Sequence, residues 1–183
     1  LFKKLLKKKG LVVFDNEIGE AIKLKNICRN KKLKQAILGD IEGFKILSHT
    51  FIKNNQIVKF KFNNKEYSFE TKLIGNVQIK NLMMAIIAAS KLIPIKKIVD
   101  KIKKIKSVNG RFEMIGQIKN NSRVILDYSH TPEALRTCIK NIKKQFSFSR
   151  IFLVFGCGGD RDKIKRSIMG RIANCLLYTS DAA

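Results

Sequence analysis

The sequence predicts an α/β chain holding parts of two domains, and three observations carry that expectation. Two apolar runs, residues 124–126 and 151–155, each stop at a cluster of polar residues or glycines, with helical spacing beyond. Two further short apolar runs, residues 11–14 and 35–38, flank a helical stretch, as in a βαβ unit. Between these halves, Val58, Phe60 and Phe62 alternate with Lys59 and Lys61, the period of a half-buried strand.

Taken in order, the opening reads as the end of a helix. Phe2, Leu5 and Leu6 are apolar among lysines, and Gly10 suits a C-cap. Leu1 is not a start residue, so the chain is expected to be a piece of a longer protein. A strand at residues 11–14 ends at Asp15, Asn16 and Glu17; a helix over 19–28 and a strand at 35–38 complete the unit. From Phe44 the pattern turns to β. Asn63 and Asn64 supply a turn, and Tyr67 and Phe69 resume the alternation, which predicts a hairpin. His49 has no second histidine and no adjacent acid, so a structural role is expected.

Residues 79–92 read as a helix rich in Met and Ala, with Met83 and Met84 as core filler and Asn81 as a cap or first-turn residue. Pro94 opens a second helix whose stripe is Ile95, Ile98, Val99, Ile102 and Ile105. Residues 107–110 then form the best linker in the chain, placing a domain boundary after residue 107. Arg111 follows directly. A guanidinium fixed beside a hinge suits a phosphate clamp.

Composition narrows the function classes. The 183 residues carry a net charge of +24, which by itself would suggest nucleic acid or an anionic membrane. Lysine greatly outnumbers arginine, however, and comes with abundant Ile and Asn, all of which have AT-rich codons. The lysines are also spread along the chain rather than clustered, so solvated helix faces are expected and no nucleic-acid partner. Cys28, Cys138, Cys157 and Cys175 show neither C-x-x-C spacing nor partner histidines, so no metal site or disulfide framework is expected, and a reducing cytoplasm fits. No apolar run approaches the roughly 18 residues that span a bilayer, so no membrane partner is expected.

The chemistry gathers at the two strand-to-helix junctions. Asp127, Tyr128, Ser129 and His130 crowd the end of the first strand, where open α/β sheets bind ligands. Thr131 makes an N-cap, Pro132 fits the first helical position, and Glu133 suits the positive helix end. At the second junction, Gly156-Cys-Gly-Gly-Asp-Arg-Asp162 offers glycines whose N–H groups can point at an anion. It is not G-x-G-x-x-G, because Arg161 stands where the third glycine would be.

Together these stretches resemble the MurE-type Mur ligases, the ATP-dependent enzymes that add the third amino acid to the UDP-N-acetylmuramoyl dipeptide of peptidoglycan. The first junction is similar to D-Y-[AS]-H-T-P-x-A-L and the second to V-F-G-C-G-G-D-R-D; Asn109-Gly-Arg-Phe-Glu113 resembles the G-R-[MF]-E opening of the C-terminal domain. Gly75-Asn-Val-Gln-Ile-Lys-Asn81 resembles G-x-[FV]-N-x-x-N, with Gln78 standing where the family has the first Asn. Residues 15–17 resemble the family's N-x-D-D turn only loosely. Four motifs in the correct order cover most of the chain.

The resemblance implies the end of the central ATP-binding domain over 1–107 and the first part of a Rossmann-like C-terminal domain over 108–174. Residues 175–183 break the family pattern and read as a non-native, adapter-derived tail. It further implies that Asn81, Arg111, Asp127 and His130 bind ATP, Asn81 at the adenine and Arg111 at the phosphates. Arg161 would hold the carboxylate of the incoming amino acid, diaminopimelate or lysine, by a two-point grip. Magnesium and ATP are the implied cofactors, and an acyl phosphate the implied intermediate. No catalytic residue is assigned within the chain.

Rival readings are another ligase of the superfamily (folylpolyglutamate synthase or cyanophycin synthetase), a basic nucleic-acid-binding module, and a dinucleotide-binding Rossmann protein. The first would carry D-x-A-H-N-P, whereas Thr131 precedes Pro132 here. The second would need clustered cations interleaved with aromatics and a steep salt dependence. The third lacks its last glycine and a ribose-binding acid. No G-x-x-G-K-[ST] loop is present in the 183 residues, so these residues alone are expected not to turn over. ATP-dependent ligation by the isolated chain would contradict that expectation.

Overall fold

The computed structural model describes residues 6–7, 9–39, 43–52, 54–118, 122–158 and 163–178. The chain divides into two compact units, residues 1–72 with 78–105, and residues 73–77 with 106–183.

The first unit begins with the expected βαβ arrangement. Strands β1 (Leu11–Asp15) and β2 (Lys34–Leu38) pair in parallel, Leu11 opposite Lys34 and Asp15 opposite Leu38, joined by helix α1 (Ala21–Asn30). A parallel pair needs such a crossover. Val12, Phe14, Ala21, Cys28 and Ile37 form its core, with Leu6, Leu24 and Leu33 packed on them. Burial pushes the Cys28 thiol up from its ordinary range.

An antiparallel sheet follows in the order β3 (Lys45–Ile52), β4 (Asn55–Phe62), β5 (Lys65–Thr71). The predicted hairpin is β4–β5, and Asn63 and Asn64 take φ of 47° and 60° in its turn. Two consecutive left-handed residues are what a two-residue hairpin with the native twist requires, and Asn tolerates that region. Val58, Phe60 and Phe69 are buried from the alternating face. His49 has its Nε2 at 2.5 Å from Gln56 Oε1 and its ring beside Phe51, a neighbourhood of the sheet's own residues.

Helix α2 spans Asn76–Ala89 and buries Ile79, Leu82, Met83, Ile86 and Ile87. It starts three residues earlier than the sequence predicts. Asn81 is therefore the sixth helical residue, exposed in the second turn, and not a cap. Helix α3 (Ile95–Ile102) lies against β5 with Ile95 and Ile102 buried; Ile105 falls beyond the helix and is exposed.

In the second unit, β6 (Glu113–Gln117) pairs antiparallel with β7 (Arg123–Leu126), with a bulge between Met114 and Gly116. The bulge and Gly116 break the alternation that would have marked β6 in the sequence. Helices α4 (Pro132–Gln145) and α5 (Lys163–Tyr178) pack on each other. α4 has two buried sides. Cys138 joins Ile74, Phe112 and Phe146, while Leu135 and Ile139 join Met169 and Ile172 of α5.

The strand expected at residues 151–155 is corrected here, and β7 is less buried than its apolar run suggests. Val124 and Leu126 are 38% and 48% exposed, so β7 is covered on one face only, through Ile125. Residues 151–155 form no strand among the described residues: they run extended without a ladder, with Leu153 packed on the α4–α5 core and Phe152 and Val154 exposed. The apolar pattern is real, but a strand also needs a partner to take its N–H and C=O groups. The last helix takes in residues 175–178 of the segment that reads as a tail. α5 continues to Tyr178, Leu176 and Leu177 pack on its core, and Lys143 donates to the Leu176 carbonyl at 2.7 Å.

No helix of the described residues is long and apolar enough to cross a membrane.

Residues Leu73–Val77 are fastened to α4. Gly75 N–H donates to Gln145 Oε1 at 2.8 Å and Asn76 N–H to Asn141 Oδ1 at 2.6 Å, which satisfies donors at the start of α2 that have no partner within the helix. Gly75 has φ of +82°, and a Cβ there would lie 3.2 Å from the Asn141 side chain. Gly75→Ala is therefore expected to cost more than about 1 kcal/mol. A denaturation midpoint equal to that of the parent would contradict this.

Burial pushes the Cys138 thiol up to about 11, with the nearby Asp127 carboxylate adding to the rise and a hydrogen bond with Ser129 opposing it. A raised thiol stabilises the fold below its unfolded value near 9.0, and that contribution is lost as pH climbs through about 11. Relative to Cys138→Ala, the parent is expected to lose stability between those two values. Superimposable melting-temperature profiles for the two proteins would refute it.

Candidate nucleotide-binding site

Of the five residues singled out in the sequence, Arg111, Asp127 and His130 come together in the second unit. The turn over residues 108–111 closes with Arg111 N–H donating to the Val108 carbonyl at 2.9 Å. Gly110 takes φ of +67°, and Phe112, unusually for a large residue, takes φ of +47°. A non-glycine residue there is strained by roughly 1–3 kcal/mol and persists only when its surroundings fix it.

Several contacts fix it. The Phe112 ring is buried against Ile74, Cys138 and Phe146. Its N–H donates to Asp127 Oδ2 at 3.0 Å. Gly110 N–H donates to Glu113 Oε2 at 2.7 Å, and the Gly110 carbonyl accepts from Tyr128 N–H at 2.8 Å. The turn is thus stitched to the end of β7.

Asp127 is half-buried, and its other oxygen, Oδ1, accepts from the Ser129 hydroxyl. Both carboxylate oxygens are engaged within the chain, leaving lone pairs on each for a further donor. Sequence reasoning put Asp127 at the ligand; it did not foresee that the same carboxylate holds the turn that carries Arg111.

That turn sets the guanidinium of Arg111 over the ring of Tyr128, 5.1 Å from its centroid. On from Tyr128, the ring of His130 lies 5.0 Å away at 50°. His130 Nδ1 is 3.2 Å from the Tyr128 carbonyl, which can only accept, so Nδ1 carries the proton in that bond. The result is an exposed row of guanidinium, phenol and imidazole at the mouth of a strand-to-helix junction. Tyr128 was not singled out in the sequence; its place between two candidate ligand residues was the available signal.

Helix α4 begins as the sequence predicts. Thr131 is the N-cap, its Oγ1 accepting from Ala134 N–H at 3.2 Å, with Pro132 at the first position and Glu133 in the first turn. Thr131 is thereby placed as a cap.

Two candidates remain. Asn81 belongs to the first unit, exposed on α2. The preceding residue, Lys80, is bound to Asp15 and Glu17 at 2.7 and 2.6 Å, an ion-pair cluster the sequence did not disclose. Arg161 lies outside the described residues. In the described part of the glycine-rich turn, a Cβ added at Gly156 or Gly158 would meet nothing within 4 Å, so the local packing does not itself demand glycine.

A guanidinium and an aromatic row suit a nucleotide, whose phosphates and base call for a cation and a flat partner. Among the described residues no three His, Cys, Asp or Glu side chains converge to hold a metal ion.

The family model of the Mur ligase glutamate ligase domain matches residues 110–183. Over 166 residues, 90% of the chain, it is 37% identical to UDP-N-acetylmuramoyl-L-alanyl-D-glutamate--2,6-diaminopimelate ligase of Rickettsia felis, covering 31% of that protein. A solved structure of a ligase of that name superposes with a TM-score of 0.67 at 25% identity, over 92% of this chain and 35% of the other. A folylpolyglutamate synthetase complex with AMPPCP and folate shares the fold, with a TM-score of 0.72 at 17% identity over 95% of this chain and 42% of that one. Residues 110–183 thus match the Mur ligase glutamate ligase domain, and the chain spans about a third of the length of the diaminopimelate ligases it matches.

Proposed function

We propose that the chain is part of an ATP-dependent ligase that adds diaminopimelate to UDP-N-acetylmuramoyl-L-alanyl-D-glutamate in peptidoglycan synthesis. The observation that carries this reading is the 37% identity to a ligase of that name across 90% of the chain. In the proposal, residues 1–107 close the central ATPase domain and 108–174 open the ligase domain, while 175–183 take no part in function. The location is cytoplasmic, which four cysteines outside any disulfide suit.

ATP would supply its γ-phosphoryl group to the substrate carboxylate, releasing ADP, and the amino group of the incoming amino acid would then displace phosphate from the acyl phosphate to form the amide. Magnesium would accompany the nucleotide, held by groups other than those described. This chain's own residues bind and orient. Arg111 grips phosphate oxygens with donors already fixed in direction by the stitched turn, which lowers the ordering cost of binding. Asp127 serves twice, holding that turn and contacting the nucleotide with its remaining lone pairs. His130 offers Nε2 at the same place, Asn81 contacts the adenine from the first unit's helix, and Arg161 grips the amino-acid carboxylate.

In the whole ligase containing this chain, Arg111→Ala and Asp127→Ala are each expected to raise the KM for ATP. Loss of a charged hydrogen bond is worth about 1.5–3 kcal/mol, roughly a 10- to 150-fold rise. Unchanged KM and kcat in both variants would remove this junction from the nucleotide site.

A further inference from the structure

The carboxyl end of β1 holds a charged assembly that the proposed mechanism does not use. Asp15, 5% exposed, accepts from Glu17 N–H through Oδ1 at 3.0 Å and meets Lys80 Nζ through Oδ2 at 2.7 Å. The same ammonium meets Glu17 Oε2 at 2.6 Å. Between the two acids, Asn16 Oδ1 accepts from Lys25 Nζ at 2.7 Å. All three side chains of the Asp-Asn-Glu turn are thus engaged by lysines, one from α1 and one from α2.

Lys80 is held as a cation. Burial works against its charge, but the hydrogen bonds and charges of Asp15 and Glu17 outweigh that and raise its pKa above the ordinary lysine value. A folded pKa raised in this way means the contribution to stability is complete below the ordinary value and fades only as pH rises past it. The clamp is therefore fully formed at neutral pH.

Its position on the helix gives it a consequence. Successive helical residues differ by about 100° around the axis, so pinning Lys80 fixes the direction of the next side chain. That next side chain is Asn81, exposed on the same turn. We propose that Lys80 is a positioning residue for nucleotide binding: its ammonium, clamped between Asp15 and Glu17, fixes the second turn of α2 to the end of β1 and so presents Asn81 in one orientation. The proposal rests on the reading of Asn81 as an adenine contact. Pre-orienting a binding group removes part of the cost of ordering it, so loosening the clamp weakens binding without touching the reacting atoms.

The test compares Lys80→Met, Lys80→Arg, Glu17→Gln and Asn81→Ala in the whole ligase, reading the KM for ATP, kcat at saturating ATP, and the melting temperature. Lys80→Met is expected to raise the KM for ATP by about 5- to 10-fold with kcat within about twofold. Lys80→Arg is expected to restore most of the loss, since a guanidinium can hold two carboxylates. Glu17→Gln removes only the exposed arm and is expected to give a smaller rise in KM; it carries the test if Lys80→Met does not fold. A raised KM in Asn81→Ala with none in Lys80→Met or Glu17→Gln overturns the clamp and leaves the reading of Asn81 standing. No change in any of the four overturns both. A lower melting temperature with an unchanged KM also overturns the proposal, because it marks a structural pair only.

Discussion

The second unit depends on the carboxylate of Asp127. One oxygen takes the N–H of Phe112, a residue held in the left-handed region, and the other takes the hydroxyl of Ser129 at the approach to α4. The turn before β6 and the short segment from the end of β7 to the start of α4 meet at that one side chain. Without it, the Phe112 N–H would lose its acceptor beside a buried ring, and the turn carrying Arg111 would lose its tether. Arg111 can lie over Tyr128 because the turn beneath it has been fixed. Fold and proposed function therefore share the same atoms.

A comparable economy runs through the charged residues. A net charge of +24 invites a single explanation, but individual lysines have separate tasks. Lys80 clamps Asp15 and Glu17, Lys25 reaches Asn16, and Lys143 closes on the Leu176 carbonyl near the end of α5. The first of these neutralises charge, and the other two satisfy ammonium donors with neutral oxygens.

Much of the fold was legible because its signals are local. The βαβ unit follows from two short apolar runs around a helical stretch, and the β4–β5 hairpin from alternation flanking Asn63 and Asn64. The start of α4 follows from Thr131 and Pro132, where side-chain chemistry and helix geometry agree. What stayed hidden is non-local. β6 is broken by a bulge, so its pairing with β7 left no period to read. Residues 151–155 have the composition of a buried strand, yet composition cannot say whether a neighbour is present to pair with them. The early start of α2 depends on Asn141 and Gln145, some 65 and 70 residues downstream, accepting from its first N–H groups. In the site, Asp127, His130 and Arg111 were legible by type and by resemblance. The bond from Phe112 to Asp127 and the Lys80 clamp were not, since each joins residues of different motifs.

The most direct measurement is a crystal structure of the whole ligase containing this chain with ADP bound. The account predicts phosphate oxygens within hydrogen-bonding distance of the Arg111 guanidinium, with the turn still held by Asp127 and the nucleotide beside Tyr128 and His130. A nucleotide bound with Arg111, Asp127 and His130 all out of contact would contradict it.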